Sequence, residues 1–137
     1  MKNILFVCVH NSGRSQIAEA AFNHFAQTRN MDLVALSAGT NPADRLNTNV
    51  IESIAEIGIQ TSGLAPKQLT NYMVEQSEIV ITLGCNVDSN QCPSLNIREV
   101  IDWGLPDPSG MGMDATRNVR DEIIQRVEGL LASLNHK

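Results

Sequence analysis

Five residues separate Cys8 from Arg14, and Ser15 follows at once, in the run Cys8-Val-His-Asn-Ser-Gly-Arg-Ser15. A thiol at the start of such a loop and a guanidinium at its end can hold and attack a tetrahedral oxyanion. If a helix begins near Arg14, the backbone N–H groups of Val9, His10, Asn11, Ser12, Gly13 and Arg14 can face an anion, and the helix dipole favours negative charge there. The same field lowers the pKa of Cys8 and makes it a nucleophile at neutral pH. Arg14 offers a planar fork for two oxygens. The Ser15 hydroxyl can donate to the Cys8 sulfur, and Ser12 and Gly13 let the loop turn tightly. At His10 the backbone N–H matters more than the ring. A buried cysteine and a solvated arginine would explain each residue singly, but not their combination between a strand and a helix. No G-x-x-x-x-G-K-[ST] occurs, which excludes a nucleotide P-loop.

The flanking elements must place these groups. Asn3 to Val9 is an apolar, β-branched run of the kind covered on both faces of a sheet. From Ser15 the period becomes helical, with Ile17, Ala18, Ala21, Phe22, Phe25 and Ala26 on one stripe. Leu33–Leu36 reads as a second strand closed by Ser37-Ala-Gly39. Val50, Ile51, Ile54 and Ile57 mark a helix that Gly58 stops. Pro66 suits the first turn of a third helix, with Leu69, Tyr72 and Met73 inward. Glu78–Leu83 and Glu99–Trp103 read as strands three and four, with Trp103 a core anchor. Asp114 caps a last helix to about Leu134, with Val119, Ile123, Val127, Leu130 and Leu134 inward. His24 and His136 read as helix-surface residues. Alternating strands and helices imply an α/β fold with a parallel sheet, whose ligands sit beyond the carboxyl ends of the strands. Cys8, Cys85 and Asp107 follow strands one, three and four, so they converge on one rim.

Composition bounds the rest. The 137 residues carry ten Lys and Arg against fifteen Asp and Glu, a net charge of −5. A single domain spanning 1–137 is expected at this length. The acidic balance and lack of a basic run argue against nucleic acid. Ile4–Val9 is far too short to span a membrane and lacks a signal-peptide cleavage site. A cytoplasmic protein, expected to act as a monomer, fits best. Three cysteines, Cys8, Cys85 and Cys92, are an odd number and too few for a secreted disulfide framework.

The loop from Cys8 to Ser15, with Gln16-Ile-Ala-Glu19 after it, resembles the phosphate-binding loop of low-molecular-weight protein tyrosine phosphatases. It is more similar still to the thiol-dependent arsenate reductases built on that fold. The resemblance runs through Ser37-Ala-Gly39, Thr82-Leu83, Cys85 to Pro93, Trp103 and Asp107-Pro108. It implies a four-stranded parallel sheet flanked by helices. It also makes Asp107 the general acid that protonates a leaving oxygen while Cys8 attacks. By the same resemblance Cys85 is the second thiol and Cys92 the third of a disulfide relay that detoxifies arsenate. No bound cofactor is implied, and thioredoxin supplies the electrons. Extended, the six residues between Cys85 and Cys92 would hold them roughly 24 Å apart. A disulfide needs about 4.4–6.8 Å between Cα atoms, so the polar segment between them must loop or refold. Zinc suits a C-x6-C spacing without nearby histidine poorly, and inert burial suits the polar neighbours poorly.

Some relatives hold potassium beside the anion loop, and Asn11, Glu19 and Ser37 correspond to that site. Lys67 falls where they carry a carboxylate, so its ammonium would supply the charge and no metal is expected. Against the commonest thioredoxin-coupled relatives, Gly84 is one extra residue before Cys85. Tyr72 is the only tyrosine, and no aromatic cluster lies near Cys8 or Asp107 to grip a phenyl ring. Two other readings share the loop. A low-molecular-weight phosphatase would use a phosphocysteine and leave Cys85 and Cys92 dispensable. A phosphocarrier would have no use for Asp107.

Overall fold

The computed structural model describes residues 2–84 and 99–134. Four parallel strands form one sheet: β1 (Lys2–Cys8), β2 (Leu33–Gly39), β3 (Ile79–Thr82) and β4 (Ile101–Asp102), in the order β2-β1-β3-β4. The helices are α1 (Arg14–Thr28), α2 (Thr48–Ala55), α3 (Asn71–Glu75) and α4 (Met113–Leu134).

The central position of β1 explains its unbroken apolar run. Ile4, Phe6 and Cys8 face the core shared with α1, α2 and α4, where Ile17, Phe22, Ile54, Ile123 and Val127 are buried. Leu5 and Val7 face the opposite side, with Ala38, Leu69, Val74 and Val80. Strand alternation therefore puts apolar groups in two layers, as a doubly covered strand requires. Phe6 meets Phe22 edge-on at 6.1 Å and Trp103 at 5.6 Å, so Trp103 is the anchor expected of it.

The helical stripe of α1 is buried as its period predicts except for Phe25, which is partly covered, and Gly58 stops the turn after α2 with φ +83°. Ile57, expected on the inner face of α2, lies beyond the helix end and is exposed. α4 begins one residue before Asp114, which sits in its first turn and not at the cap. Its buried stripe ends on Leu131, four residues after Val127, while Leu130 and Leu134 are only partly covered.

The third helix departs most from expectation. Pro66 is outside it, and α3 starts only after Thr70, whose hydroxyl accepts from the Met73 N–H. The segment before it is captured by β2: Gly39 N–H donates to the Lys67 carbonyl at 2.9 Å, and Leu69 N–H donates to the Gly39 carbonyl at 2.8 Å. Sheet pairing holds residues 67–69 extended, so they cannot also be helical. Tyr72 is consequently 70% exposed, and Val74 takes the inward place beside Leu69.

Candidate active site

Cys8 ends β1 and is almost fully buried, at the floor of an open cleft of about 460 Å³. The cleft is lined by the whole of Cys8–Arg14, by Asn47 and Val50 beside it, and by Gly84 and Leu105–Ser109 across it. Cys8 is disulfide-bonded in this structure. Cys85, Cys92 and His136 lie outside the described residues.

The loop owes its shape to its carbonyls. Those of Cys8, Val9, His10 and Ser12 accept from the N–H groups of Thr40, Asn41, Ala43 and Asn47, at 2.8–3.3 Å. The Asn11 carbonyl accepts from Gln16 Nε2 at 3.0 Å, and the Gly13 carbonyl accepts the first helical bonds of α1. No cis peptide is present among the described residues, and in a trans peptide the N–H points opposite to the preceding carbonyl. Every carbonyl turned outward therefore aims the N–H of the next residue inward. Val9, His10, Asn11, Ser12, Gly13 and Arg14 thus present a nest of donors at the N-terminus of α1, as an oxyanion requires.

Asn11 makes the turn. Its φ of +52° is left-handed, a conformation asparagine tolerates better than most side chains, and it is fully buried. Gly13, expected to supply the turn, has φ −135°. The Asn11 side chain donates to Ser15 Oγ at 2.7 Å and Ser37 Oγ at 2.9 Å, and accepts from Lys67 N–H at 2.8 Å and Gln16 Nε2 at 3.1 Å. With Ser15 Oγ accepting from Asn11, its own proton is available to another acceptor. Gly39 closes in behind: a Cβ there would lie 2.3 Å from the Val9 carbonyl oxygen. Sequence reading gave Asn11 a backbone donor and a corresponding cation site, but not this central part. An asparagine in a loop before a helix is the signal that could have found it.

Asn11, Ser37 and Glu19 do come together, joined by the 2.6 Å bond from Ser37 Oγ to Glu19 Oε1. Lys67 Nζ donates to the same Glu19 oxygen at 3.2 Å and to the Ala65 carbonyl at 3.1 Å. A cation is therefore already tied to the carboxylate that potassium would need. No cluster of three His, Cys, Asp or Glu side chains suited to a metal ion occurs among the described residues.

Arg14 is held by one nitrogen. Nη1 donates to the carbonyls of Leu83, at 2.9 Å, and Leu105, at 2.7 Å. That anchors the guanidinium and leaves its Nε/Nη2 edge for a ligand, the edge that binds oxyanions bidentately. Burial lowers the Arg14 pKa, opposed by the charges of Asp107 and Asp102, and a guanidinium stays protonated regardless. Asp107 Oδ2 lies 3.9 Å from Arg14 Nη2, while Oδ1 accepts from the Ser109 N–H at 3.0 Å in a turn that fixes the side chain. Asp107 is well exposed on the cleft rim, open to a leaving oxygen and to solvent protons. Among the described residues lining the cleft none is Phe, Tyr or Trp. His10 lines its mouth, with ring Nδ1 3.0 Å from the Asn41 carbonyl.

The comparisons with known proteins agree with this fold. The sequence profile of the low molecular weight phosphotyrosine protein phosphatases matches residues 3–137. The glutaredoxin arsenate reductase of Synechocystis sp. is 34% identical, over 98% of this chain and all of that one. A solved arsenate reductase in the phosphate-binding state superposes with TM-score 0.84 at 32% identity, over 97% of this chain and 98% of that chain. The thioredoxin-dependent arsenate reductase of Corynebacterium glutamicum superposes with TM-score 0.79 at 35% identity, over 97% of this chain and 61% of that longer one. With that profile matching all but the first two residues, the chain belongs to the low molecular weight phosphotyrosine protein phosphatase family.

Proposed function

We propose that this protein reduces arsenate to arsenite. The observation that carries the proposal is likeness to arsenate reductases at 32–35% identity over 97–98% of the chain, combined with a cleft built for a tetrahedral oxyanion. The absence of aromatic rings among the described lining residues favours a small inorganic substrate over a phenyl ester.

Arsenate binds to the six loop N–H groups and the Arg14 edge. The reduced Cys8 thiolate attacks arsenic, and one oxygen leaves as water with a proton from Asp107. Cys85, as thiolate, then attacks the Cys8 sulfur. The sulfur–arsenic bond breaks, its electron pair stays on arsenic, and arsenic(V) leaves as arsenite while a Cys8–Cys85 disulfide forms. Cys92 attacks Cys85, frees Cys8 and leaves a Cys85–Cys92 disulfide. A dithiol protein such as thioredoxin reduces it by ordinary exchange. Ser15 stabilises the Cys8 thiolate through its free hydroxyl proton. The described residues contain no helix long and apolar enough to cross a membrane. A cytoplasmic site of action, where reductant is plentiful, fits this chemistry.

The relatives' names divide between thioredoxin and glutaredoxin. The deciding experiment is arsenate-dependent NADPH oxidation with thioredoxin and its reductase, against glutaredoxin with glutathione, for the native protein and Cys92→Ser. Sustained turnover with thioredoxin and a stop after about one equivalent in the variant support the relay. Turnover by Cys92→Ser with thioredoxin alone removes Cys92 from it. Failure with both donors, alongside phosphoester hydrolysis unaffected by Cys85→Ser, replaces the proposal with a phosphatase.

A further inference from the structure

Arg14 depends on two carbonyls from different parts of the chain, one just after β3 and one just after β4. Something must hold those two ends in register, because β4 is two residues long and pairs with β3 only at Ile81–Ile101 and Thr82–Asp102. Asp102, the last residue of β4, does so. Its Oδ1 accepts from Thr82 Oγ1 at 2.9 Å, Gly84 N–H at 3.0 Å and Gly104 N–H at 3.2 Å. Thr82 and Gly84 flank Leu83. Gly104 precedes Leu105.

The clamp is tight where it closes. Gly84 has φ +84°, and a Cβ on it would lie 2.4 Å from the Leu105 carbonyl oxygen and 2.6 Å from the Leu105 nitrogen. The backbone ahead of Cys85 therefore runs directly against the residue that anchors Arg14. Burial pushes the Asp102 pKa up, and the bonds from Gly104, Thr82 and Gly84, with the charge of Arg126, outweigh it and leave the carboxyl below its ordinary range. The acceptor is thus ionised at neutral pH, and its hydrogen bonds are charge-assisted.

We infer that Asp102 is a positioning residue of the oxyanion site: one carboxylate oxygen sets the spacing of the Leu83 and Leu105 carbonyls, and so the aim of Arg14. It touches no substrate. Leu105 also lies two residues before Asp107, so the same clamp fixes where the acid loop departs. The inference rests on the cleft invoked for arsenate, but its test needs no arsenate chemistry.

The test is calorimetric titration of the reduced protein with inorganic phosphate, for native protein, Asp102→Ala and Asp102→Asn, with thermal unfolding of each. Asp102→Ala should weaken phosphate about tenfold, since three bonds to the clamp are lost. Asp102→Asn keeps an oxygen acceptor and should stay within about threefold of the native affinity. In arsenate assays Asp102→Ala should raise KM more than it lowers kcat. Should the alanine variant fail to fold, Thr82→Val removes one of the three bonds and should weaken phosphate about two- to threefold. Native phosphate affinity in folded Asp102→Ala overturns the inference, as does an asparagine variant no better than alanine. If native protein binds phosphate but reduces no arsenate, while Asp102→Ala still loses phosphate, the functional proposal falls and the positioning role stands.

Discussion

Arg14 Nη1 donates to the Leu105 carbonyl at 2.7 Å, and that one bond couples the two halves of the cleft. Arg14 opens α1 at the end of the anion loop, and Leu105 lies two residues before Asp107. Arg14 and Asp107, the proposed oxyanion grip and the proposed acid, are therefore positioned against each other through backbone.

Arg14→Lys tests that coupling. An ammonium can reach one carbonyl but cannot hold two and still present a bidentate edge. We expect kcat/KM for arsenate to fall about 10²–10³-fold, the loss typical of removing a preorganised oxyanion donor. Urea unfolding should show a much smaller effect on stability. Native kinetics in the lysine variant would show that the loop N–H groups suffice alone.

Asn11 predicts a stability effect. Alanine there loses four side-chain hydrogen bonds and must still adopt φ +52°. Asn11→Ala should lower unfolding free energy by about 2–4 kcal/mol. Asn11→Gly restores the backbone freedom without the side chain and should recover about 1 kcal/mol of it. Equal urea midpoints for the two variants would place the whole effect in the side-chain bonds.

Lys67 predicts indifference to potassium. Its ammonium already meets Glu19 at 3.2 Å, and Glu19 is tied through Ser37 to Asn11. Rates measured in potassium and in sodium salts at equal ionic strength should agree within about 1.5-fold, the range left to general screening. Lys67→Met leaves Glu19 without its cation and should lower arsenate affinity by weakening the network behind Asn11. A clear potassium activation of the native protein would show that Lys67 does not do the cation's work.

Glu56 predicts the acid limb of stability. Its pKa is lowered by hydrogen bonds from Arg117 and then Arg120, against a smaller opposing effect of burial. These arginines, with the Arg120 bond to the Ser53 carbonyl at 2.9 Å, fasten α4 to α2. A depressed carboxyl contributes stability above its unfolded pKa, 4.5, and loses it as pH falls through the folded value. Glu56→Gln should therefore be less stable than the native protein at neutral pH. The gap should hold above roughly pH 5.5 and shrink below it. A gap that stays constant down to pH 3 would assign the effect to packing alone.

Much of this molecule is legible in one dimension, because its local signals agree with its global fold. The unbroken run before Cys8 marks a strand covered on both faces, and the stripe from Ile17 to Ala26 marks the helix over it. Cys8 and Arg14 as candidate oxyanion groups follow from residue type, spacing and the rule that ligands sit beyond strand ends, whereas the acid role of Asp107 came from the family resemblance. What sequence left undecided depends on groups far apart in the chain. Residues 67–69 are extended because Gly39 pairs with them, which no local propensity encodes, and Tyr72 is exposed as a consequence. Asn11, not Gly13, takes the left-handed turn because Ser15, Ser37, Gln16 and Lys67 converge on its side chain. Asp102 reads as an ordinary strand-end acid until folding brings Thr82, Gly84 and Gly104 around one of its oxygens. Sequence by itself determined which groups could do the chemistry; tertiary structure decided where each is held, since hydrogen bonds that aim a side chain are made between segments that only folding brings together.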